Sequence, residues 1–306
     1  MENSFDMIVI GGGPGGYTAA LYGARAGMKV LVLEKLSAGG QMALTHQIDN
    51  YPGFPQGVDG FTLGMLMQEQ AERFGVRTEL EEVTEVKLDG RIKIVNSSGG
   101  TFYGKTVVLA TGANPRELGI PMERELTGKG VNYCAACDGM FYKNRIVVVV
   151  GGGNTAAADA LSLSRIAKKV YLVHRRDTLR ATKIYHKPLM EAENVEFIPD
   201  SEIVELLHGE KLSGVRLRNR ISGEERVLEA EGLFISIGRK PATGLVRGQI
   251  ALDSDGYVIA GEDTATSLPG VFAVGDLRTK ELRQIVTAVA DGAMAVHRAE
   301  AYLAEG

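Results

Sequence analysis

The chain has 306 residues, 44% hydrophobic and 24% charged, with a net charge of −4. That length supports about two ordinary domains. The absence of a clustered basic face argues against a nucleic-acid partner, and no apolar run approaches the roughly 18 residues of a membrane span. With only two cysteines, Cys134 and Cys137, the chain carries no disulfide framework, and a cytoplasmic protein is expected. The N-terminal stretch Met1–Asp6 agrees, since it has no basic region and runs into a glycine loop rather than a cleavage site.

Asp6–Ile10 reads as a buried parallel strand, Pro14–Ala26 as a helix of small residues, and Lys29–Leu33 as a second strand closing on Glu34. Between the first strand and the helix lies Gly11-Gly12-Gly13-Pro14-Gly15-Gly16. Strand, Gly-x-Gly-x-x-Gly, helix, strand and acid together form the dinucleotide fingerprint. Gly11 makes the turn, Gly13 admits the pyrophosphate and Gly16 lets the helix pack on the strand. The helix N-terminus supplies amide donors for phosphate, and Glu34 accepts from ribose hydroxyls.

Residues 37–60 form a long insertion rich in Gly, Pro, Asn and Asp, a length usually kept for function. An amphipathic helix is expected over Phe61–Phe74, then short strands near 76–80, 83–88 and 91–95, and a buried strand Thr106–Ala110 running into Thr111-Gly112.

The plan then repeats. Ile146–Val150 leads into Gly151-Gly152-Gly153-Asn154-Thr155-Ala156, a helix to about Ala167 and a strand Lys169–Val173. Short strands are expected near 195–198, 203–207, 213–218 and 225–229, then Gly232–Ile237. Each repeat thus pairs a βαβ unit with a small antiparallel meander. Here His174-Arg175-Arg176 stands where the first repeat has Glu34, and Arg180 follows. Guanidinium groups in place of an acid select a 2′-phosphate, so this half is expected to prefer NADPH over NADH.

A short strand Gly256–Ala260, a buried strand within Gly270–Asp276 and a long helix Ile285–Leu303 close the chain. They have no glycine loop of their own. The expected fold is α/β, with two Rossmann-like nucleotide-binding domains in three layers (ββα), the second inserted in the first. The boundaries fall at 1–113 with 243–306, and at 114–242.

Between the two glycine loops lies Cys134-Ala135-Ala136-Cys137-Asp138. Zinc needs about four ligands, and no second pair exists nearby. A redox dithiol between two phosphate cradles is the better reading.

These stretches, together with Gly39-Gly40-Gln41, Asn50-Tyr51-Pro52-Gly53, Gly275-Asp276 and Arg283-Gln284, closely resemble the low-molecular-weight bacterial thioredoxin reductases over essentially the whole chain. The resemblance implies a homodimer, with FAD on the first domain and NADPH on the second. On the FAD side it implies Gly11, Gly13, Pro14, Gly16, Glu34, Gly40, Gln41, Asn50, Thr111, Gly112, Gly275, Asp276, Arg283 and Gln284. On the NADPH side it implies Gly151, Gly153, Asn154, Thr155, His174, Arg175, Arg176 and Arg180. It makes Cys137 the cysteine facing the flavin, Cys134 the thiol that attacks a thioredoxin-like disulfide, and Asp138 the acid–base group. The chain departs from the family pattern at Ala136 (commonly Thr), at Tyr51 (commonly Trp) and at Ala157-Ala158-Asp159, which carries one Asp for a usual pair of Glu. A flavin-dependent dithiol oxidase and a ferredoxin-dependent reductase of the same fold stay open as alternatives, although neither needs the arginine set.

Overall fold

Buried parallel strands are apolar on both faces, because each face must meet a covering layer. The structure, a computed structural model describing residues 3–45 and 47–305, shows this twice. His46 of the 37–60 insertion lies outside the described residues.

In chain order the regular elements begin with β1 (Ser4–Ile10), α1 (Pro14–Arg25), β2 (Val30–Glu34), α2 (Gly60–Glu72), β3 (Arg77–Leu80), β4 (Val83–Lys87), β5 (Lys93–Ser97), β6 (Thr101–Leu109) and β7 (Ala113–Pro115). Next come β8 (Val131–Asn132), α3 (Ala135–Asp138), β9 (Ile146–Val150), α4 (Asn154–Ser164), β10 (Lys169–Val173), α5 (His186–Glu191) and β11 (Val195–Ile198). The meander β12 (Ser201–His208), β13 (Leu212–Asn219) and β14 (Glu225–Glu229) follows, with β15 (Gly232–Ile235) and β16 (Arg239–Pro241). The chain ends with β17 (Val271–Ala273) and α6 (Ile285–Ala304). Two compact units result: Met1–Asn114 with Lys240–Gly306, and Pro115–Arg239.

In the first unit the sheet order is β3-β2-β1-β6-β5-β4, and β17 also pairs with β6. The pairs β3–β2, β2–β1, β1–β6 and β6–β17 are parallel, whereas β6–β5 and β5–β4 are antiparallel. The side-chain period of two divides β1 between two cores. Ile8 and Ile10 pack with Val86, Leu88 and Val95 of the meander region, while Met7 and Val9 pack with Tyr17, Ala19 and Ala20 of α1 and Ala295 and Val296 of α6. Burying each large aliphatic side chain is worth about 1.5–3 kcal/mol. Gly292 of α6 brings that helix close to α1, since a side chain there would run into the Gly15 carbonyl oxygen and the Ala19 nitrogen.

The second unit repeats the layering. Its sheet order is β11-β10-β9-β15-β8, and β12-β13-β14 form a separate antiparallel sheet. Val148 and Val150 face that meander; Val147 and Val149 face Ala156, Ala160 and Leu163 of α4. The architecture is the expected α/β pair of Rossmann-like folds.

Three details differ from expectation. The segments near 76–80 and 195–198 join the parallel sheets as β3 and β11 instead of the meanders. Gly256–Ala260 forms no strand; Val258 makes only isolated bridges to Leu252 and Arg278. And β6 begins at Thr101, because its first half continues the antiparallel ladder with β5.

Candidate functional site

Ligands of open α/β sheets bind at the carboxyl ends of the strands, where the strand order reverses. In the first unit that point lies between β1 and β6. The Gly11 N–H donates to the Leu33 carbonyl at 2.8 Å. Gly11 has φ +105° and Gly112, beyond β6, has φ +69°, a backbone region open to glycine at little cost. A side chain at Gly16 would overlap the Gly11 carbonyl oxygen, whereas one at Gly13 would meet nothing within 4 Å. Gly16 therefore closes the helix onto the turn, and Gly13 leaves space for a ligand. Pro14 opens α1.

Other predicted residues gather around this loop. Glu34, ending β2, accepts from the Gly12 N–H at 2.6 Å and the Leu36 N–H at 3.0 Å. The Gly39 N–H donates to the Gly12 carbonyl at 2.8 Å, and an added Cβ on Gly40 would lie 3.6 Å from the Gly13 Cα. Gln41 donates to Asn114 at 3.0 Å, and the Thr111 hydroxyl donates to the Ala242 carbonyl at 2.9 Å. Asn50 donates to Gln284 at 3.0 Å, which brings the insertion to the N-cap of α6. Gln284 is itself locked there by a capping box with Thr287.

Gly275 and Asp276 form the turn after β17. The Arg283 guanidinium stacks 4.2 Å from the centre of the Tyr257 ring. Its buried Nε has no hydrogen-bond partner among the described residues. A buried donor left open is costly unless something completes it.

The second unit builds its own cradle after β9. The Gly151 N–H donates to the Val173 carbonyl at 3.0 Å, and Gly153 again leaves the space around an added Cβ empty. Asn154 accepts from the Thr182 N–H at 2.8 Å, and Thr155 is exposed in the first turn of α4. The Gly152 carbonyl accepts from the Arg180 and Ala181 N–H groups at 2.7 and 3.0 Å, fastening the arginine loop to the glycine loop.

His174 is buried, with its ring beneath Gly152, where any Cβ would collide with the imidazole. Burial and the nearby Arg180, Arg175 and Arg176 push its pKa below the ordinary value. Arg175, Arg176 and Arg180 are exposed, and no carboxylate pairs with any of them among the described residues. Three guanidinium groups with no carboxylate partner among the described residues thus stand beside the second glycine loop, a donor set suited to an anion.

The cysteines form a disulfide with a Cα–Cα distance of 5.3 Å. Cys134 caps the single turn of α3, accepting the Asp138 N–H at 3.0 Å; both cysteines and Asp138 are half-buried. The loop is held on both sides by residues the sequence did not single out. Asn132 donates to the Tyr142 hydroxyl at 2.8 Å, and the Tyr142 ring meets Phe234 edge-on at 5.2 Å. Tyr133 donates at 2.8 Å to Glu123, whose buried carboxylate also accepts from the Leu118 and Gly119 N–H groups at 2.9 and 2.8 Å. Burial and that carboxylate push the Tyr133 phenol pKa up. Asp159 accepts from Ser236 at 2.6 Å, and burial raises its pKa. A side chain at Gly151 would overlap the Ser236 carbonyl oxygen, so this pair lies directly under the second cradle. Apart from Asp159, which the family resemblance singled out, none of these supports has a local sequence signature. No helix among the described residues is long and apolar enough to cross a membrane.

Comparison with known proteins agrees with this layout. The pyridine nucleotide-disulphide oxidoreductase family matches residues 5–292. Thioredoxin reductase of Mycolicibacterium smegmatis is 46% identical over 98% of this chain and 97% of its own length. A Mycobacterium leprae protein named bifunctional thioredoxin reductase/thioredoxin is 44% identical, covering 99% of this chain and 67% of that protein. The crystal structure of thioredoxin reductase from Streptococcus pyogenes superimposes with a TM-score of 0.93 at 41% identity, covering 100% of both chains. With two nucleotide folds and a dithiol between their glycine loops in sequence, the chain belongs to the pyridine nucleotide-disulphide oxidoreductase family, in its thioredoxin reductase group.

Proposed function

We propose that this protein passes electrons from NADPH through FAD and the Cys134–Cys137 disulfide to thioredoxin or a similar small dithiol protein, as a cytoplasmic homodimer. The observation that carries the reading is the Arg175, Arg176 and Arg180 set, without a carboxylate partner among the described residues, in the same unit as the disulfide. A dithiol oxidase or a ferredoxin-fed enzyme has no use for a 2′-phosphate site.

The residues present fit both groups. The open space at Gly13, the Glu34 carboxylate, the Asn50–Gln284 pair and the unsatisfied Arg283 Nε suit FAD. Gly153, Asn154 and the arginines suit NADPH. Bound there, the two cofactors supply a hydride donor and a carrier of paired electrons.

The chain's own part is thiol chemistry. Two electrons and two protons open the disulfide to a dithiol. The Cys134 thiolate then attacks a sulfur of the partner disulfide and expels the other as thiolate, giving a mixed disulfide. Cys137 attacks Cys134 in turn, re-forms the Cys134–Cys137 bond and releases the reduced partner. Asp138, which ends the turn that Cys134 caps, is the acid–base group in this reading, holding and returning the proton. The fusion named in the Mycobacterium leprae relative supports a thioredoxin partner.

Anaerobic titration of the oxidised holoprotein, followed by flavin absorbance, tests the reading. The wild type should consume about two NADPH per subunit, and Cys137→Ser about one. NADH in parallel should act far more weakly. Flavin that stays oxidised with NADPH would overturn the assignment.

A further inference from the structure

The turn carrying Gly275 and Asp276 is held from below by a buried charge cluster. Asp291, on α6, is 5% exposed and Arg278 is 2% exposed, and the Lys280 side chain is nearly as enclosed. Asp291 Oδ2 accepts from the Gly275 N–H at 2.8 Å, from Arg278 Nε at 3.0 Å and from Lys280 Nζ at 2.7 Å. Its Oδ1 accepts from Arg278 Nη2 at 2.7 Å. One carboxylate thus takes four donors from three points along 275–280.

The ties continue outward. Arg278 Nη1 donates to the Ala260 and Thr279 carbonyls at 3.3 and 3.1 Å, and Lys280 donates to the Thr287 carbonyl at 3.3 Å. Arg283 Nη2 donates to the Arg278 carbonyl at 3.3 Å, and Gln284 follows as the N-cap of α6. Gly275, with φ +68°, directs its amide inward at Asp291, which anchors the start of the Gly275–Asp276 turn on the same carboxylate.

Burying two cations and one anion is expensive, and apolar residues of similar volume stabilise a core at least as well. Stability alone does not explain the cluster. What it does is fix the Gly275–Asp276 turn relative to α6 and, through the Arg278 carbonyl, the Arg283–Gln284 segment. We infer that Asp291 is a positioning residue for the flavin-side nucleotide, acting through Gly275 and Arg278. This inference rests on the FAD reading above.

Two variants test it: Asp291→Asn, nearly isosteric but uncharged, and the triple neutral change Arg278→Met, Lys280→Met, Asp291→Leu, which relieves buried charge but cuts the ties. FAD affinity of each apoprotein is measured by flavin fluorescence, NADP+ affinity by calorimetry and folding by circular dichroism. In each folded variant the FAD Kd should rise about tenfold or more, as expected for lost charge-assisted hydrogen bonds. The NADP+ Kd should stay within about twofold, since that site lies in the other unit. A folded variant with wild-type FAD affinity would show Asp291 to be structural only. Wild-type apoprotein that takes up no FAD would instead sink the function reading, independently of either variant.

Discussion

The two glycine loops are one backbone solution carrying two different chemistries. Each places a glycine N–H on a carbonyl at or next to the end of the neighbouring strand, Gly11 to Leu33 and Gly151 to Val173, and each opens a helix at a glycine with empty space around it, Gly13 and Gly153. They diverge one residue later, at the end of the second strand of each unit. Glu34 turns its carboxylate back into the loop, onto Gly12 and Leu36. His174 instead fills the space under Gly152 with a neutral ring, and its arginine neighbours project outward. The frame suits a phosphate in either case; the side chains at and just past the strand end would decide what surrounds the rest of the nucleotide.

The sharpest way to break the parallel is to exchange the residues at its sixth position, Gly16 and Ala156. A Cβ at Gly16 overlaps the Gly11 carbonyl, an obstruction in rigid backbone, whereas Ala156 is buried in the corresponding place without exposure. Gly16→Ala should therefore push the first loop open at a cost of about 3 kcal/mol, about a hundredfold in FAD affinity, and the protein should purify nearly colourless. Ala156→Gly removes one methyl from a helix and costs about 1 kcal/mol of stability, leaving the NADP+ Kd within about fivefold. Flavin absorbance per subunit and NADP+ calorimetry decide it. Full flavin content in Gly16→Ala would show that the loops close by different means.

A comparable effect, spread over three side chains, sharpens the contrast between acid and arginine. Replacing Arg175, Arg176 and Arg180 together by Gln removes donors worth about 1.5–3 kcal/mol each when charge-assisted. Because the groups are exposed, solvent screening cuts that to about 1 kcal/mol apiece. The kcat/KM for NADPH should fall about a hundredfold in all, while that for NADH stays within about threefold. Equal losses for both nucleotides would assign the arginines a general role rather than 2′-phosphate recognition.

What was legible in the sequence is what is local. Strand β10 falls on the expected Lys169–Val173, because a continuous apolar run after a glycine loop and helix has few other readings. The helix expected over Ile285–Leu303 ends one residue later, at Ala304. Polar edge strands were less legible: Arg77–Leu80, half-exposed, carries no alternation that tells a parallel edge from a meander. Long-range partners were invisible in local pattern. Asn50 meets Gln284, and Asp291 meets Gly275, only because the fold joins them; family resemblance put Asn50 and Gln284 separately on the flavin side without pairing them, and nothing in the sequence suggested the second pair. Gly39 and Gly40 could be placed by resemblance, but the Gly39 N–H on the Gly12 carbonyl is a fact of the folded chain.

The smallest effect concerns the buried histidine and depends on pH. Burial, Arg180, Arg175 and Arg176 lower the pKa of His174 below 6.5, while Asp200 opposes them. Unfolded, the ring regains its ordinary pKa of about 6.5. As pH falls through that value the unfolded chain takes up a proton that the folded chain refuses, so stability declines until the folded ring also titrates, and then levels off. Above about pH 7 the two states hold the same proton count at this site and the contribution is flat. His174→Phe keeps a flat ring under Gly152 and removes the buried Nε2, which has no hydrogen-bond partner among the described residues. The variant should melt close to the wild type at pH 8 and fall less steeply between pH 6.5 and 5. Tm measured across that range, cofactor-free, gives the answer: parallel curves would mean that His174 takes up its proton in the folded protein as readily as in the unfolded one. The first loop, with Glu34 in the matching place, has no ring to titrate there, and this acid-side loss of stability belongs to the second cradle alone.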